Sequence, residues 1–297
     1  MADARPPAAE WTVGKLLAWT TEWLGTKGSE SPRLDAEVLL AFVRGCPRIA
    51  LYTAFDEPVG EEPRARFRAL VKRRGEGEPV AYLVGSREFF SLPFRVSPAV
   101  LVPRPETEGL VIRVIDLCQA AAAAGKRPRI IDVGTGSGAI VVSLAKRLPQ
   151  AEFVATDISA EALAVAGDNA ARHGVAERIA FVECDLLDDP RAAGPWDVIV
   201  SNPPYIREDE FAGLPRDVRL HEPKGALVAG PTGVELIGRL AAGAAGHLAP
   251  GGWLIVEVGP AEAAEEALAA QPELVPEPTL KDLAGLPRIV QARRSAS

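Results

Sequence analysis

The chain has 297 residues, enough for about two domains at roughly 150 residues each, and it is 47% hydrophobic and 25% charged. That balance excludes disorder, collagen-like repetition and a disulfide scaffold. No apolar run approaches the roughly 18 residues of a membrane span, and Met1–Lys15 lacks the basic start, apolar core and cleavage site of a secretory signal. The net charge of −7 is uneven, with 12 basic and 10 acidic side chains in residues 1–75 against 21 and 30 in the remainder, which speaks against a protein built to grip long DNA.

The first 84 residues read as helices. Val13–Trp23 places Val13, Leu16, Leu17 and Trp23 on one helical face after the cap residue Thr12. Ser31-Pro32 opens a second helix carrying Leu34, Val38, Leu39 and Phe42, which ends near Gly45-Cys46-Pro47. Glu61–Arg74 forms another around Phe67, Leu70 and Val71, and its stretch Arg64–Arg74 holds six cations and no anion. A solvated face is the plain reading of such a run, and a docking surface the sharper one. Gly75-Glu76-Gly77-Glu78-Pro79 breaks any helix. Glu88–Val96 is aromatic and β-branched with a turn around Ser91–Pro93, a β-hairpin. Pro98, Pro103 and Pro105 stiffen the crossing that follows, so residues 85–106 form the linker between a helical domain at 1–84 and a larger domain at 107–297.

The larger part begins with a helix from Thr107 to Ala124 and then alternates. Strands are expected at Arg129–Val133, Glu152–Thr156, Ile179–Glu183, Trp196–Ser201, Trp253–Val258 and Leu286–Ala292. Helices are expected at Gly138–Arg147, Ala160–His173 and Gly233–Leu248. This is an α/β pattern with a mainly parallel sheet covered on both faces, whose ligands sit beyond the carboxyl ends of the strands. Cys46, Cys118 and Cys184 form no CxxC and cannot all pair, which suits a reducing cytoplasm. His173, His221 and His247 fall in no acid–base motif, and no metal site is expected.

Four clusters carry chemistry. Gly134, Thr135, Gly136, Ser137 and Gly138 follow a strand and open a helix, and glycines there let the backbone turn sharply and approach a ligand. No Gly-Lys-Ser/Thr is present, which excludes a P-loop. Asp157 closes the next strand, where a carboxylate takes both hydroxyls of a ribose or, more plainly, caps the following helix. Asp185 and Leu186 end the third strand, suited to an adenine amino group and its ring, or to a surface turn. Asn202-Pro203-Pro204-Tyr205 leaves the fourth strand. Its two prolines remove N–H donors and fix φ, so that the Asn202 and Pro203 carbonyl oxygens can accept both N–H bonds of a planar amine while Tyr205 covers its face.

These motifs resemble S-adenosyl-L-methionine-dependent methyltransferases, with Asn-Pro-Pro-Tyr shared by enzymes acting on adenine or glutamine amides. Pro32-Arg33-Leu34-Asp35-Ala36-Glu37, Glu78-Pro79-Val80-Ala81-Tyr82-Leu83, Arg87-Glu88-Phe89-Phe90, Val102–Glu108, His221-Glu222-Pro223, Leu248–Gly252 and Val256-Glu257-Val258-Gly259 resemble the bacterial peptide chain release factor glutamine methyltransferase (HemK/PrmC) family, from about residue 12 to 293. The resemblance implies a Rossmann-like class I methyltransferase domain joined to a helical substrate-recognition domain, and a methyl transfer that leaves S-adenosyl-L-homocysteine. The acceptor would be the N5 amide of the glutamine in the Gly-Gly-Gln motif of class 1 release factors. It also implies cofactor contacts from Gly134–Gly138, Asp157, Asp185, Leu186 and Asn202. Asn202, Pro203, Pro204 and Tyr205 would hold the glutamine, with Asn202, Pro203 and Tyr205 in the chemistry and Arg104–Thr107, Arg104 and Glu106 foremost, at the cleft entrance. The chain departs from many relatives at Gly259-Pro260-Ala261, where they carry a polar residue, and at Leu186, where some carry an aromatic. A cytoplasmic monomer without a membrane or stable nucleic-acid partner is expected. The alternatives are a ribosomal protein glutamine methyltransferase and, further off, an N6-adenine nucleic-acid methyltransferase.

Overall fold

The computed structural model describes residues 10–123 and 125–296. The helix end expected at Ala124, and the part of the Met1–Lys15 reading that falls on residues 1–9, lie outside them. The chain divides into two compact units, one running to Gly85 and including Arg216–His221, the other taking Ser86–Pro215 and the chain from Glu222 on.

The first unit contains α1 (Val13–Thr26), α2 (Pro32–Arg44), α3 (Arg48–Thr53), α4 (Glu61–Gly75) and α5 (Val80–Val84). Its starts and stops follow from local chemistry. Thr12 Oγ1 accepts from the Lys15 N–H, Pro32 sits in the first turn of α2, and Gly45 ends that helix in the left-handed conformation. The short helices α3 and α5 were not expected, because five or six residues are too few to show a helical period. Leu17, Leu24, Leu39, Leu40, Leu51 and Phe67 form the core. The basic stretch of α4 is largely neutralised within the unit. Arg64, Arg66, Lys72 and Arg73 pair with Glu61, Glu62, Glu76 and Glu78, and Arg74 with Asp35 at 2.7 Å. Five of the six cations are thus paired within the unit, as on a solvated face. Arg74 also reaches Asp217 at 3.2 Å, an ion pair that ties the distant segment 216–221 to this unit although it lies inside the 107–297 span.

The second unit opens with the hairpin β1 (Ser86–Phe89) and β2 (Leu92–Arg95). Its turn is at Phe90 and Ser91, both at positive φ (51° and 59°), one residue earlier than the sequence suggests. Two positive φ values match the twist of a two-residue hairpin, and the Phe90 N–H is anchored on the Glu108 carboxylate at 2.8 Å. A 3-10 turn at Pro105–Thr107 runs into α6 (Glu108–Ala123). Then follow β3 (Arg129–Val133), α7 (Ala139–Arg147), β4 (Glu152–Asp157), α8 (Ala160–Arg172), β5 (Ile179–Glu183) and β6 (Trp196–Ser201). Next come β7 (Ile206–Arg207), the helix α9 (Arg216–His221) of the first unit, β8 (Val228–Gly230), α10 (Glu235–His247), β9 (Leu248–Glu257), α11 (Ala261–Ala269), β10 (Leu274–Lys281) and β11 (Pro287–Arg294).

Seven of these strands form one sheet in the order β10-β11-β9-β6-β3-β4-β5. It is parallel from β9 to β5 and antiparallel at β11 and β10. Period-two alternation buries both faces. Ile130, Val198, Val200 and Ile255 pack with α6 and α7, while Ile131, Val133, Ile199 and Val256 pack with α10 and α11. Each such side chain contributes roughly 1.5–3 kcal/mol by burial. Neither β10 nor α11 was expected. Pro276 and Pro278 argue against a strand, and the sheet accommodates them because β10 is its edge. In α11 only Ala261, Ala264 and Leu268 are buried, a faint apolar stripe. From β3 the chain winds one way to β4 and β5, and β3's other neighbour is β6, so the strand order reverses between β3 and β6. A crevice forms at such a point beyond the carboxyl ends of the strands.

Candidate functional site

Beyond β3 the backbone turns through Gly134, Gly136 and Gly138 at φ of 71°, 54° and 77°. The Gly134 and Thr135 N–H groups both donate to the Thr156 carbonyl at 2.9 Å, which ties the loop to the end of β4. A Cβ at Gly134 or Gly136 would meet nothing within 4 Å, whereas one at Gly138 would come within 3.1 Å of Ala166 on α8. Gly134 and Gly136 therefore present bare backbone beside open space, and Gly138 is needed for helix packing. Asp132 braces the loop from below. It is fully buried and accepts from Thr135 Oγ1 at 2.7 Å and from the Val141 N–H at 3.3 Å. Burial pushes its carboxyl up to about 7 against those bonds, with the Asp157 charge adding to the rise.

Asp157 stands at the end of β4. Its Oδ2 accepts from the Gly136 N–H at 2.8 Å and its Oδ1 from the Ser159 N–H at 3.0 Å. Burial raises its pKa, opposed by those N–H groups. The cap of α8 is Ser159, whose Oγ accepts from Ala162 at 3.1 Å, so capping does not use up Asp157. Leu186 holds a positive φ of 52°, and its carbonyl accepts the Thr156 hydroxyl at 3.0 Å. The Asp185 carboxylate is engaged by Arg239 of α10 at 2.8 Å, an exposed pair.

Next to β3, β6 ends at Ser201, whose hydroxyl bonds the Val133 carbonyl at 2.7 Å and locks the two strand ends together. Asn202 Nδ2 then donates to Thr107 Oγ1 at 3.1 Å, which leaves Oδ1 without a protein partner among the described residues. Pro203 is buried, and Pro204 and Tyr205 are half-buried. The Tyr205 ring lies against Gly259, where a Cβ would come within 3.0 Å of Cδ2. Gly259, which belongs to the motif shared with the family, thus makes room for the ring. Burial raises the Tyr205 hydroxyl's pKa, and the Glu257 charge adds to it.

Of the residues expected at the cleft entrance, Arg104 bonds Glu222 Oε1 at 2.5 Å, and Glu222 Oε2 accepts from the Val102 N–H at 3.2 Å, so Arg104 fixes the crossing. Glu106 is exposed. Thr107, expected at the cleft entrance, instead takes the Asn202 amide from 95 residues away, while Glu222 and Glu257 stood in motifs read from the sequence but received no role there. His173 and His247 bond the Pro93 and Gly243 carbonyls. A hollow of about 460 Å³ lined by Arg129, Glu152, Phe153, Arg178, Ile179 and Trp196 lies at the amino ends of the strands, opposite these loops. Its cations are already engaged, Arg129 by Pro195 and Arg178 by Leu148. Among the described residues no helix is long and apolar enough to cross a membrane.

A glycine loop beside a strand-end carboxylate, facing an Asn-Pro-Pro-Tyr turn across the reversal of an open, mainly parallel sheet, defines a Rossmann-like methyltransferase. Residues 117–213 match the methyltransferase small domain family and residues 15–85 the PrmC N-terminal domain family. A release factor glutamine methyltransferase of Rhodopirellula baltica is 50% identical over 96% of this chain and 97% of its own. Those of Bradyrhizobium diazoefficiens and Geobacter sulfurreducens are 45% and 42% identical, over 89% and 84% of both chains in each pair. The chain belongs to the release factor glutamine methyltransferase family. Among solved structures, the catalytic domain of hMettl16 in complex with an RNA hairpin is similar with a TM-score of 0.55 at 19% identity, covering 77% of this chain and 82% of that one. A 16S rRNA methyltransferase of T. Thermophilus in complex with AdoMet and guanosine gives a TM-score of 0.50 at 18% identity over 70% and 49%. Both share the fold.

Proposed function

We propose that this enzyme methylates the side-chain amide nitrogen of the glutamine in the Gly-Gly-Gln motif of class 1 peptide chain release factors, with S-adenosyl-L-methionine as donor. The observation that carries the proposal is the Asn202 amide, whose Nδ2 is held by Thr107 while Oδ1 keeps its acceptor capacity. Gly134 and Gly136 fit the cofactor because nothing in the protein occupies the space beside their backbone. Asp157 is the carboxylate for the ribose, Leu186 would lie beside the adenine, and Asp185 would reach its amino group only by releasing Arg239. When bound, the sulfonium supplies an electrophilic methyl with a neutral leaving group.

A carboxamide nitrogen is a weak nucleophile because its lone pair is delocalised into the carbonyl. Accepting its two N–H bonds at Asn202 Oδ1 and the Pro203 carbonyl pushes density back onto nitrogen as positive charge grows there, and the methylated amide then loses one of those two protons to water. A well-placed polar group of this kind is worth roughly 2.7–4 kcal/mol of barrier. Tyr205 covers one face of the amide and restricts its rotation, and alignment of two reactants supplies up to about 7–11 kcal/mol. The helical unit would recognise the body of the factor, and the enzyme would act as a cytoplasmic monomer with no stable nucleic-acid partner.

Transfer of labelled methyl to purified release factor, ribosomal protein and DNA in parallel tests this. Label is expected on the release factor, lost when its glutamine is replaced by alanine. Label on ribosomal protein or DNA instead would refute the assignment.

A further inference from the structure

We propose that Glu257, acting through Thr107, is a positioning residue that sets which end of the Asn202 amide faces the substrate. This rests on the amide-transfer reading above. An asparagine side chain has a donor end and an acceptor end of nearly the same shape, and its surroundings decide which is turned to a ligand. A substrate –NH2 group needs Oδ1. The flipped amide would set N–H against N–H.

The groups behind Asn202 make that choice. Nδ2 donates to Thr107 Oγ1 at 3.1 Å, and Thr107 is only 5% exposed. Glu257 at the end of β9 is 3% exposed, and the Thr107 and Asn202 side chains are neighbours that stabilise its anion. A carboxylate only accepts. With its oxygen accepting from Asn202, the Thr107 hydroxyl has its own proton to turn toward the Glu257 anion, and a hydroxyl so turned demands the N–H end of the amide. Oδ1 is then left outward.

Neighbouring cations do not consume this carboxylate. Arg288 Nε donates to Asp282 at 3.0 Å, and Arg104 to Glu222 at 2.5 Å. Glu257 Oε2 has no hydrogen-bond partner among the described residues. The groups facing Glu257 are Thr107, Arg288 of β11, Glu106 of the 3-10 turn, Asn202 and Tyr205. Burial dominates and pushes the carboxyl up to about 7, aided by Glu106 and opposed by Thr107, Arg288 and Asn202. Protonation would give Glu257 a donor of its own and release the constraint on Thr107. The orienting form is the anion, so turnover should rise as pH increases through about 7.

The test uses full-length enzyme, a purified class 1 release factor and S-adenosyl-L-methionine. Glu257→Gln is expected to lower kcat by at least about tenfold while KM for the factor changes less than about threefold, the pattern of a group felt in the transition state. It should also remove the rise of kcat near pH 7, which Glu257→Asp should partly restore. Thr107→Val keeps the shape and loses the hydroxyl, and should lower kcat with S-adenosyl-L-homocysteine still bound. The Asn202 side-chain NH2 resonance in asparagine-labelled enzyme, assigned by its loss in Asn202→Ser, should titrate near neutrality in the wild type and not in Glu257→Gln. Wild-type turnover with an unchanged pH profile in Glu257→Gln, or an Asn202 resonance indifferent to pH and to residue 257, overturns the inference. A wild-type enzyme inert toward release factor would overturn the proposed function instead, and the resonance would still decide the role of Glu257.

Discussion

The loop after β3 and the loop after β6 leave paired parallel strands at one end of the sheet, yet they reach a fixed shape by opposite means. The first relies on freedom. Three glycines at positive φ let the backbone fold back, and its own N–H groups, on the Thr156 carbonyl and the Asp157 carboxylate, hold it there. The second relies on restriction. Two prolines fix the backbone, and side chains take over the bonding, with Ser201 on Val133 and Asn202 on Thr107. A loop without side chains suits a ligand that must lie against the main chain. A loop with rigid backbone and directed side chains suits a group whose hydrogen-bond polarity matters. Damage to the first should therefore appear in cofactor affinity, and damage to the second in the rate of transfer.

The largest expected effect is at Asn202. Asn202→Ala should lower kcat by about 100- to 1,000-fold, the loss seen when one stabilising polar group is removed, with a much smaller change in S-adenosyl-L-homocysteine affinity by calorimetry. Near-normal turnover would break the comparison. Gly136→Val should do the reverse. Backbone strain alone costs about 1–2 kcal/mol at a left-handed position, and the isopropyl group enters the space the ligand needs. Tight S-adenosyl-L-homocysteine binding by that variant would contradict the reading of the glycine loop.

Smaller effects sharpen the contrast. Tyr205→Ala should cost more turnover than Tyr205→Phe, because the ring face is what covers the amide, and equal losses would show that the hydroxyl matters instead. Gly259→Ala brings a Cβ within 3.0 Å of the Tyr205 ring and should lower kcat a few-fold with cofactor affinity unchanged. Asp132 offers the mildest test. Its folded pKa, about 7, lies above the ordinary 3.8, so its contribution to stability is present below about 4 and lost as pH rises through about 7. Asp132→Asn should flatten that part of the melting temperature's pH dependence, and an unchanged slope would mean that Asp132 does not titrate there.

The sequence was most informative where chemistry is local. Gly134–Gly138, Asp157 and Asn202–Tyr205 each follow a strand whose alternation or apolar run is visible in a few residues. The ionic partners of α4 lie mostly within five positions of one another, yet the cations stood out in the sequence as an unpaired run because the stretch stops at Arg74, short of Glu76 and Glu78. Legibility failed for β10, whose prolines are tolerated only at a sheet edge, and for α3 and α5, too short to carry a period.

By itself, the order of residues determined the alternation of strands and helices, the two loops and the family, because each depends on neighbours in the chain. Tertiary structure alone decided that Arg239 takes Asp185, that Glu222 takes Arg104 and that Arg74 draws Asp217 into the helical unit. It also decided that Thr107 and Glu257 stand behind Asn202. The reason is that polarity at a buried site is set by whichever donors and acceptors the fold brings together. Those partners come from strand ends and turns far apart in sequence, where no local pattern records the pairing.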